Sequence, residues 1–251
     1  MAIDDKTIKQ AQLIMLDMLI ELDRICKKHN LQYWLDSGTL LGAVRHNGFI
    51  PWDDDVDISM PVEDYQIFCR VAEDEIADSM FFQNRESDST FAFDYSKIRD
   101  NRATIVEFHE EDKDVEYNQG LFLDIFPMLT IRKSKVHNLF YKYSLAAIRF
   151  FSAKEFEQKS IRGVIVKMLY KLHLGWERKD TNVIYGGEMP DVAGTFSYES
   201  VFPLKKMKFE GLEFFVPNDS DSYLKEIYGE DYMELPPLDK RTVHAVSILI
   251  S

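Results

Sequence analysis

The chain has 251 residues, 45% of them hydrophobic and 29% charged, with only 11 Gly and 8 Pro. That is a globular composition with ample material for a core, and it excludes a disordered or fibrous chain. The net charge of -13 argues against a partner of nucleic acid.

The first ten residues, MAIDDKTIKQ, show no basic region followed by an apolar one, so no secretory signal is expected. No window approaches about 18 uncharged apolar residues, so no spanning helix is expected either, and the default location is cytoplasmic. Two cysteines, Cys26 and Cys69, do not make a disulfide framework; two buried thiols are expected.

In chain order, residues 6–29 place Ile8, Ala11, Ile14, Met18, Leu22 and Ile25 at helical spacing. Lys27, Lys28 and His29 crowd the last turn, where cations suit the helix dipole, and Asn30 can cap the end. LQYWLDSG (31–38) reads as a short strand ending in a turn, and TLLGAVRH (39–46) as a helix. DVDISM (55–60) reads as a second strand that starts at the aspartates and is stopped by Pro61; residues 62–79 then have helical spacing. FFQNR, FAFDYSKIRD, ATIVEF and GLFLDIFPMLTI (120–131) are strand-like, the last with one aspartate at its centre.

Residues 133–175 interleave apolar and basic positions as in two amphipathic helices; the 131–180 block holds 12 Lys and Arg against 4 Asp and Glu. The remainder offers short strands in KKMKFEGLEFFVP, a helix in DSDSYLKEIYG, and the segment LPPLDKRTVHAV. No repeat or low-complexity tract is evident, and strands mixed with segregated helices predict an α+β fold.

Within IPWDDDVDI (50–58), Asp55 and Asp57 are two apart, so on a strand they share a face, with Val56 and Ile58 anchored on the other. Two ionised carboxylates side by side call for a compensating cation, and hard oxygen ligands suit Mg²⁺ or Mn²⁺, which in turn suit substrate phosphates. Asp124, between apolar neighbours in FLDI, is costly to bury unless it is paired or bound to metal. A solvated acidic turn at 53–57, with Asp124 at a strand end, is the plainer alternative. Gly38 and Thr39 precede a helix whose free N–H groups could receive a phosphate.

A Gly-Thr turn, an acid–hydrophobe–acid and a later single acid resemble the nucleotidyltransferase fold, although 15 residues between Thr39 and Asp55 are wide for its general pattern. The stretch YWLDSGTLLGAVRHNGFIPWDDDVDI is more specific. Together with KIRDNRAT (97–104), GLFLDIFPM (120–128) and YLKEIYGEDYMELPPLDKR (223–241), it resembles the LicD family, which includes the fukutin-type proteins. These blocks touch most of the chain and leave about 131–185 uncovered.

The resemblance implies a nucleotidyltransferase-like mixed sheet flanked by helices in one LicD-like domain. It would comprise a catalytic core at 30–130, a basic helical insertion at 131–185 and a C-terminal part at 186–251 closing the site. It implies a metal-dependent phosphotransferase that moves phosphocholine from CDP-choline, or ribitol phosphate from CDP-ribitol, to a sugar of a surface glycan. CDP-glycerol is a further candidate donor, and a teichoic acid or lipopolysaccharide precursor a candidate acceptor.

The family's acids fall on Asp55, Asp57 and Asp124. Asp55 and Asp57 are expected to hold the metal; Asp124 shares it or takes the proton of the acceptor hydroxyl. Asp53 is either an outer partner or part of a strand cap. Lys97 and Arg99 alternate on KIRD and either contact donor phosphate or form a solvated basic edge. Arg45, His46 and Arg241 carry the same alternatives of phosphate contact or ordinary structural residue. Trp34 and Trp52 are either members of an aromatic cage for choline or core residues. The basic 131–180 block either docks on anionic lipid, where lipid-linked acceptors lie, or packs against the acidic body or a second copy. Two rivals are a DxD-type glycosyltransferase, against which the 39–46 helix and the third acid count, and a catalytically silent glycan-binding scaffold.

Overall fold

The structure, a computed structural model, describes residues 3–91, 93, 95–111, 113–132, 181–186, 194–241 and 243–250. The expected amphipathic helices of 133–175 therefore lie outside the described residues. Helix α1 (Asp5–His29) starts where the Asp4 carboxylate accepts from the N–H groups of Lys6 and Thr7, and ends at Asn30 in the left-handed conformation. Its apolar stripe, from Ile8 through Met15 and Leu19 to Cys26, is buried against three strands of the main sheet, at 96–107, 120–132 and 245–250. The expected boundaries hold there to within a residue, because long period and strong caps coincide.

The main sheet is mixed, which bears out the α+β expectation. Its path runs β1 (Trp34–Leu35), β2 (Asp57–Pro61), β5 (Gly120–Arg132), β4 (Ser96–Glu107), β10 (Ala245–Ile250). β3 (Met80–Gln83) pairs with β4, β6 (Thr181–Tyr185) with β5, and β7 (Thr195–Ser197) with β6. The β2–β5 pair is parallel and the other pairs are antiparallel. The expected helical insertion at 131–185 begins and ends on strand, since β5 runs to Arg132 and β6 occupies Thr181–Tyr185.

Helix α3 (Val62–Glu75) lies beside α1, joined to it where Lys28 Nζ and His29 Nε2 meet the Glu75 carboxylate at 2.9 and 2.7 Å. Cys26 is buried and Cys69 partly so, both as free thiols. The C-terminal part adds α4 (Tyr198–Val201), a hairpin of β8 (Lys205–Phe209) and β9 (Leu212–Val216), and α5 (Ser220–Tyr228). The hairpin turns at Glu210-Gly211, both at positive φ, as a two-residue turn between twisted strands demands.

Two local expectations are corrected. Helix α2 spans Ser37–His46 and so begins two residues earlier than expected, because buried Asp36 is its N-cap, accepting from the Ser37 N–H at 2.7 Å. Residues 31–38 contribute only Trp34 and Leu35 to the sheet. β2 begins at Asp57 rather than Asp55, so Asp55 lies in the extended approach to the strand.

Candidate active site

The site forms where parallel strands β2 and β5 bring their acids level: Asp57 and Asp124 are register partners. The backbone around Asp57 is held on both sides. Its N–H donates to Thr39 Oγ1 at 2.9 Å, and its carbonyl accepts from the Asp36 N–H at 3.0 Å. Thr39 is therefore buried and spent on the Asp57 backbone instead of standing open at a turn. Asp36 itself is fully buried; its carboxylate accepts from Tyr185 Oη at 2.9 and 3.0 Å and from Ser59 Oγ. This network fastens the start of α2 to β2 and β6.

Two cavities meet at the acids. The larger, about 420 Å³, is lined by Gly38, Arg45, Trp52, Asp53, Tyr228 and Tyr232 among others, and the smaller, about 240 Å³, by Tyr95, Glu107, Phe122, Asp124 and Phe126. Asp55, Asp57 and His244 line both. The three expected acids are thus together, although Asp55 reaches the site from outside the strand.

Charge balance is short. His244 Nδ1 stands 3.2 Å from Asp55 Oδ2, and Lys97 Nζ 2.7 Å from Asp124 Oδ1. The lysine contact is a buried ion pair. Among the described residues no donor reaches the Asp57 carboxylate, and Asp53 Oδ2 is closed off from solvent with no hydrogen-bond partner.

Burial pushes the Asp57 carboxyl well above its ordinary value, with the charges of Asp55 and Asp124 adding to the shift. Burial does the same to Asp53, reinforced by Asp55 and Asp54. Burial raises Asp124 to about 6, against the pull of Lys97. His244 is raised to about 9, first by its contact with Asp55. Asp53, Asp55, Asp57 and Asp124 make an all-oxygen, electron-rich set with unsatisfied acceptors, and that set fits a hard divalent cation such as Mg²⁺ or Mn²⁺.

The basic candidates fall into different places. Lys97 and Arg99 share a face, as expected, but the face points inward: they are 2% and 1% exposed. Lys97 Nζ lies 3.4 Å over the Phe122 ring, and Arg99 donates to Gln83 Oε1 and to the Gly120 carbonyl, each at 2.8 Å. The reading of this pair as donor-phosphate contacts is corrected for Arg99, which is spent inside the protein, and changed for Lys97, which meets Asp124 instead. A solvated basic edge is excluded for the same reason.

Arg45 lines the larger cavity and donates to the carbonyls of Tyr232 and Glu234 at 3.0 and 3.1 Å, tying α2 to the C-terminal segment. Arg241 stacks on Trp52 at 4.0 Å. Trp34 is wholly buried, its indole N–H donating to Tyr223 Oη at 3.2 Å, so it belongs to the core and not to a cage. Trp52 does line the larger cavity. Gly38 lines it too, and the close approach its missing side chain permits is to a carboxylate: a Cβ there would lie 3.2 Å from Asp53 Oδ2.

Two residues carry more than sequence reasoning gave them. Asp54 is buried and accepts from the N–H groups of His244 and Ala245 at 3.0 and 2.6 Å, which anchors the start of β10 beside the acids. Glu107, at the end of β4, lines the smaller cavity with Asp124; no motif signalled it. Glu107, His109 and Glu110 also bring ligand atoms within 4.8 Å of one another, but both Glu110 oxygens are taken by Tyr117, Gln119 and the Glu107 N–H.

An acid-lined cleft on a mixed sheet, with a cation-suited carboxylate set between two cavities, defines a protein of the nucleotidyltransferase-domain class. The description "LicD/FKTN/FKRP, nucleotidyltransferase domain" matches residues 30–162, and the chain belongs to this family. It is 28% identical to the lipopolysaccharide cholinephosphotransferase LicD of Haemophilus influenzae over 96% of both chains. A 34-residue stretch, 14% of this chain and 7% of the other, is 56% identical to the human ribitol 5-phosphate transferase FKRP. A 47-residue stretch, 19% of this chain and 18% of the other, is 51% identical to the uncharacterized protein RP689 of Rickettsia prowazekii. Among the described residues no helix is long and apolar enough to cross a membrane.

Proposed function

We propose that the protein is a phosphotransferase that moves phosphocholine from CDP-choline to a sugar hydroxyl of a surface glycan or its precursor, releasing CMP. The observation that carries this reading is the convergence of three acids where two cavities meet, Asp55 and Asp57 on the shared wall and Asp124 in the smaller cavity, in a chain similar end to end to a cholinephosphotransferase. The stretch shared with the ribitol 5-phosphate transferase keeps CDP-ribitol as the second donor to test, and CDP-glycerol as the third.

Asp55 and Asp57 would hold Mg²⁺ or Mn²⁺, with Asp124 and Asp53 within the same acidic set. A bound divalent cation supplies neutralising charge to the donor diphosphate and to the departing phosphate. Arg45, at the wall of the larger cavity, adds a fixed positive charge for the diphosphate, and Trp52 with Arg241 stacked behind it offers a flat face to the base. Asp124, raised by burial, accepts the proton of the acceptor hydroxyl. The new bond joins the sugar oxygen to phosphorus, the bond from phosphorus to the CMP oxygen breaks, and CMP leaves with that electron pair.

The whole chain acts as one LicD-like domain in this reading, its C-terminal part closing the site through His244 and the Arg45 contacts. Work at the cytoplasmic face of the membrane on a lipid-linked acceptor, with the 131–180 block on lipid, belongs to the same proposal; residues 133–180 of that block lie outside the described residues. The test is CMP release from CDP-choline with Mg²⁺, with and without EDTA. Absence of metal-dependent CMP from CDP-choline, CDP-ribitol and CDP-glycerol alike overturns the reading.

A further inference from the structure

We propose that the smaller cavity is the acceptor site and that it takes one neutral hexopyranose ring, with Glu107 as the residue that selects it. This rests on the phosphotransfer reading above and adds the place and chemical class of the second substrate.

The walls come from the alternation of β5. Phe122, Asp124 and Phe126 are spaced by two, share one face of the strand, and all line this cavity. Tyr95 closes the side, its ring centroid 5.1 Å from that of Phe126. Glu107 supplies a second carboxylate; its described charge contact, His109 Nδ1, stands 3.9 Å away on an exposed side chain.

A pyranose presents C–H faces that cover aromatic rings and hydroxyls that donate hydrogen bonds. Ionised carboxylates only accept, so two of them among three aromatic rings suit a polyhydroxylated neutral ring. The volume, about 240 Å³, is below what a drug-sized ligand needs and suits a single ring.

Other ligand classes meet opposition. An anionic ligand would face Glu107 beside Asp55, Asp57 and Asp124. A quaternary ammonium would meet the charge of Lys97, whose Nζ lies 3.4 Å over Phe122 and 5.5 Å from the Tyr95 ring, and like charges at such range repel, whereas a neutral ring meets no such repulsion. The position also suits transfer between two substrates. Asp55, Asp57 and His244 line both cavities, so a hydroxyl in the smaller one and a donor in the larger one meet at the same acids, and Asp124 lines only the acceptor side.

The test needs neither donor nor turnover. Saturation-transfer NMR with Mg²⁺ present measures binding of methyl α-D-glucopyranoside, methyl β-D-galactopyranoside and N-acetylgalactosamine, with choline chloride and CMP as comparators. At least one hexose should bind without being displaced by CMP. Its affinity should fall about tenfold or more in Glu107→Ala, the expected loss for charge-assisted hydrogen bonds, and Trp52→Ala should weaken CMP instead.

Thermal unfolding shows that each variant folds, and the isosteric Glu107→Gln serves if the alanine variant does not. Binding by no hexose, binding insensitive to Glu107, displacement by CMP, or Glu107-dependent binding of choline in place of a hexose each overturns the proposal. Hexose binding without CMP release in the donor assay would sink the phosphotransfer reading alone; CMP release without hexose binding would sink only this one.

Discussion

Lys97 Nζ and Asp124 Oδ1 stand 2.7 Å apart inside the sheet, on register-paired positions of β4 and β5. The lysine is the cation that the buried acid carries with it, and the Phe122 ring beneath the ammonium removes what water it would otherwise keep. Breaking one half of such a buried pair leaves the other charge stranded, at a cost of about 3–5 kcal/mol. Lys97→Met should therefore lower the unfolding free energy by about that amount in urea titrations. The double variant Lys97→Met/Asp124→Leu should recover most of the stability and none of the activity. A double variant no more stable than the single one contradicts the ion-pair account.

Asp57→Asn keeps the shape of the side chain and removes a charge from the proposed metal site. Metal-dependent CMP release should fall about 100-fold or more while the circular dichroism spectrum and melting temperature stay native-like. An active Asp57→Asn protein would take Asp57 out of the metal site.

The acids also set a pH dependence. Burial and mutual repulsion raise Asp57 and Asp53, and burial raises Asp124 to about 6. A carboxyl raised on folding binds its proton more tightly in the folded state, so lowering the pH through the folded value stabilises the protein. His244, raised to about 9 by Asp55, acts with the same sign, since its contribution is lost as pH rises through that value. The metal-free protein should thus melt at a higher temperature at about pH 5.5 than at about pH 7.5, and Mg²⁺ should flatten the difference. Below that window the depressed carboxyls, such as Asp219 held down by the Ser222 hydroxyl, reverse the slope. A melting temperature in EDTA that falls steadily from neutral pH to about pH 5.5 would contradict this.

Asp54 accepts from two consecutive amides, of His244 and Ala245. Asp54→Ala leaves both without their acceptor, at about 1–3 kcal/mol for each buried donor. Amides of β10 should exchange hydrogen faster while those of α1 keep their protection, and the donor's KM should rise as His244 loses its place. Unchanged exchange at 244–250 would show that the strand is anchored by other contacts.

Much of this protein was legible in its residues. Helix α1 announces itself by period and caps, and the short strands in KKMKFEGLEFFVP are present as β8 and β9. The pairing of Asp55 and Asp57 and the isolation of Asp124 follow from acids set between hydrophobes, because burial forces such groups to find a partner. Period two put Lys97 and Arg99 on one face.

Which way those faces point was decided only by the tertiary structure. The side of a strand that meets the core depends on what packs there, so the same alternation that suggested phosphate contacts ends with both cations buried. The contacts of Asp54 with residues 190 and 191 positions later, and the meeting of two cavities at Asp55 and Asp57, join segments that no local pattern connects. Local chemistry names the charges that need partners; the sheet's register decides which partners they get.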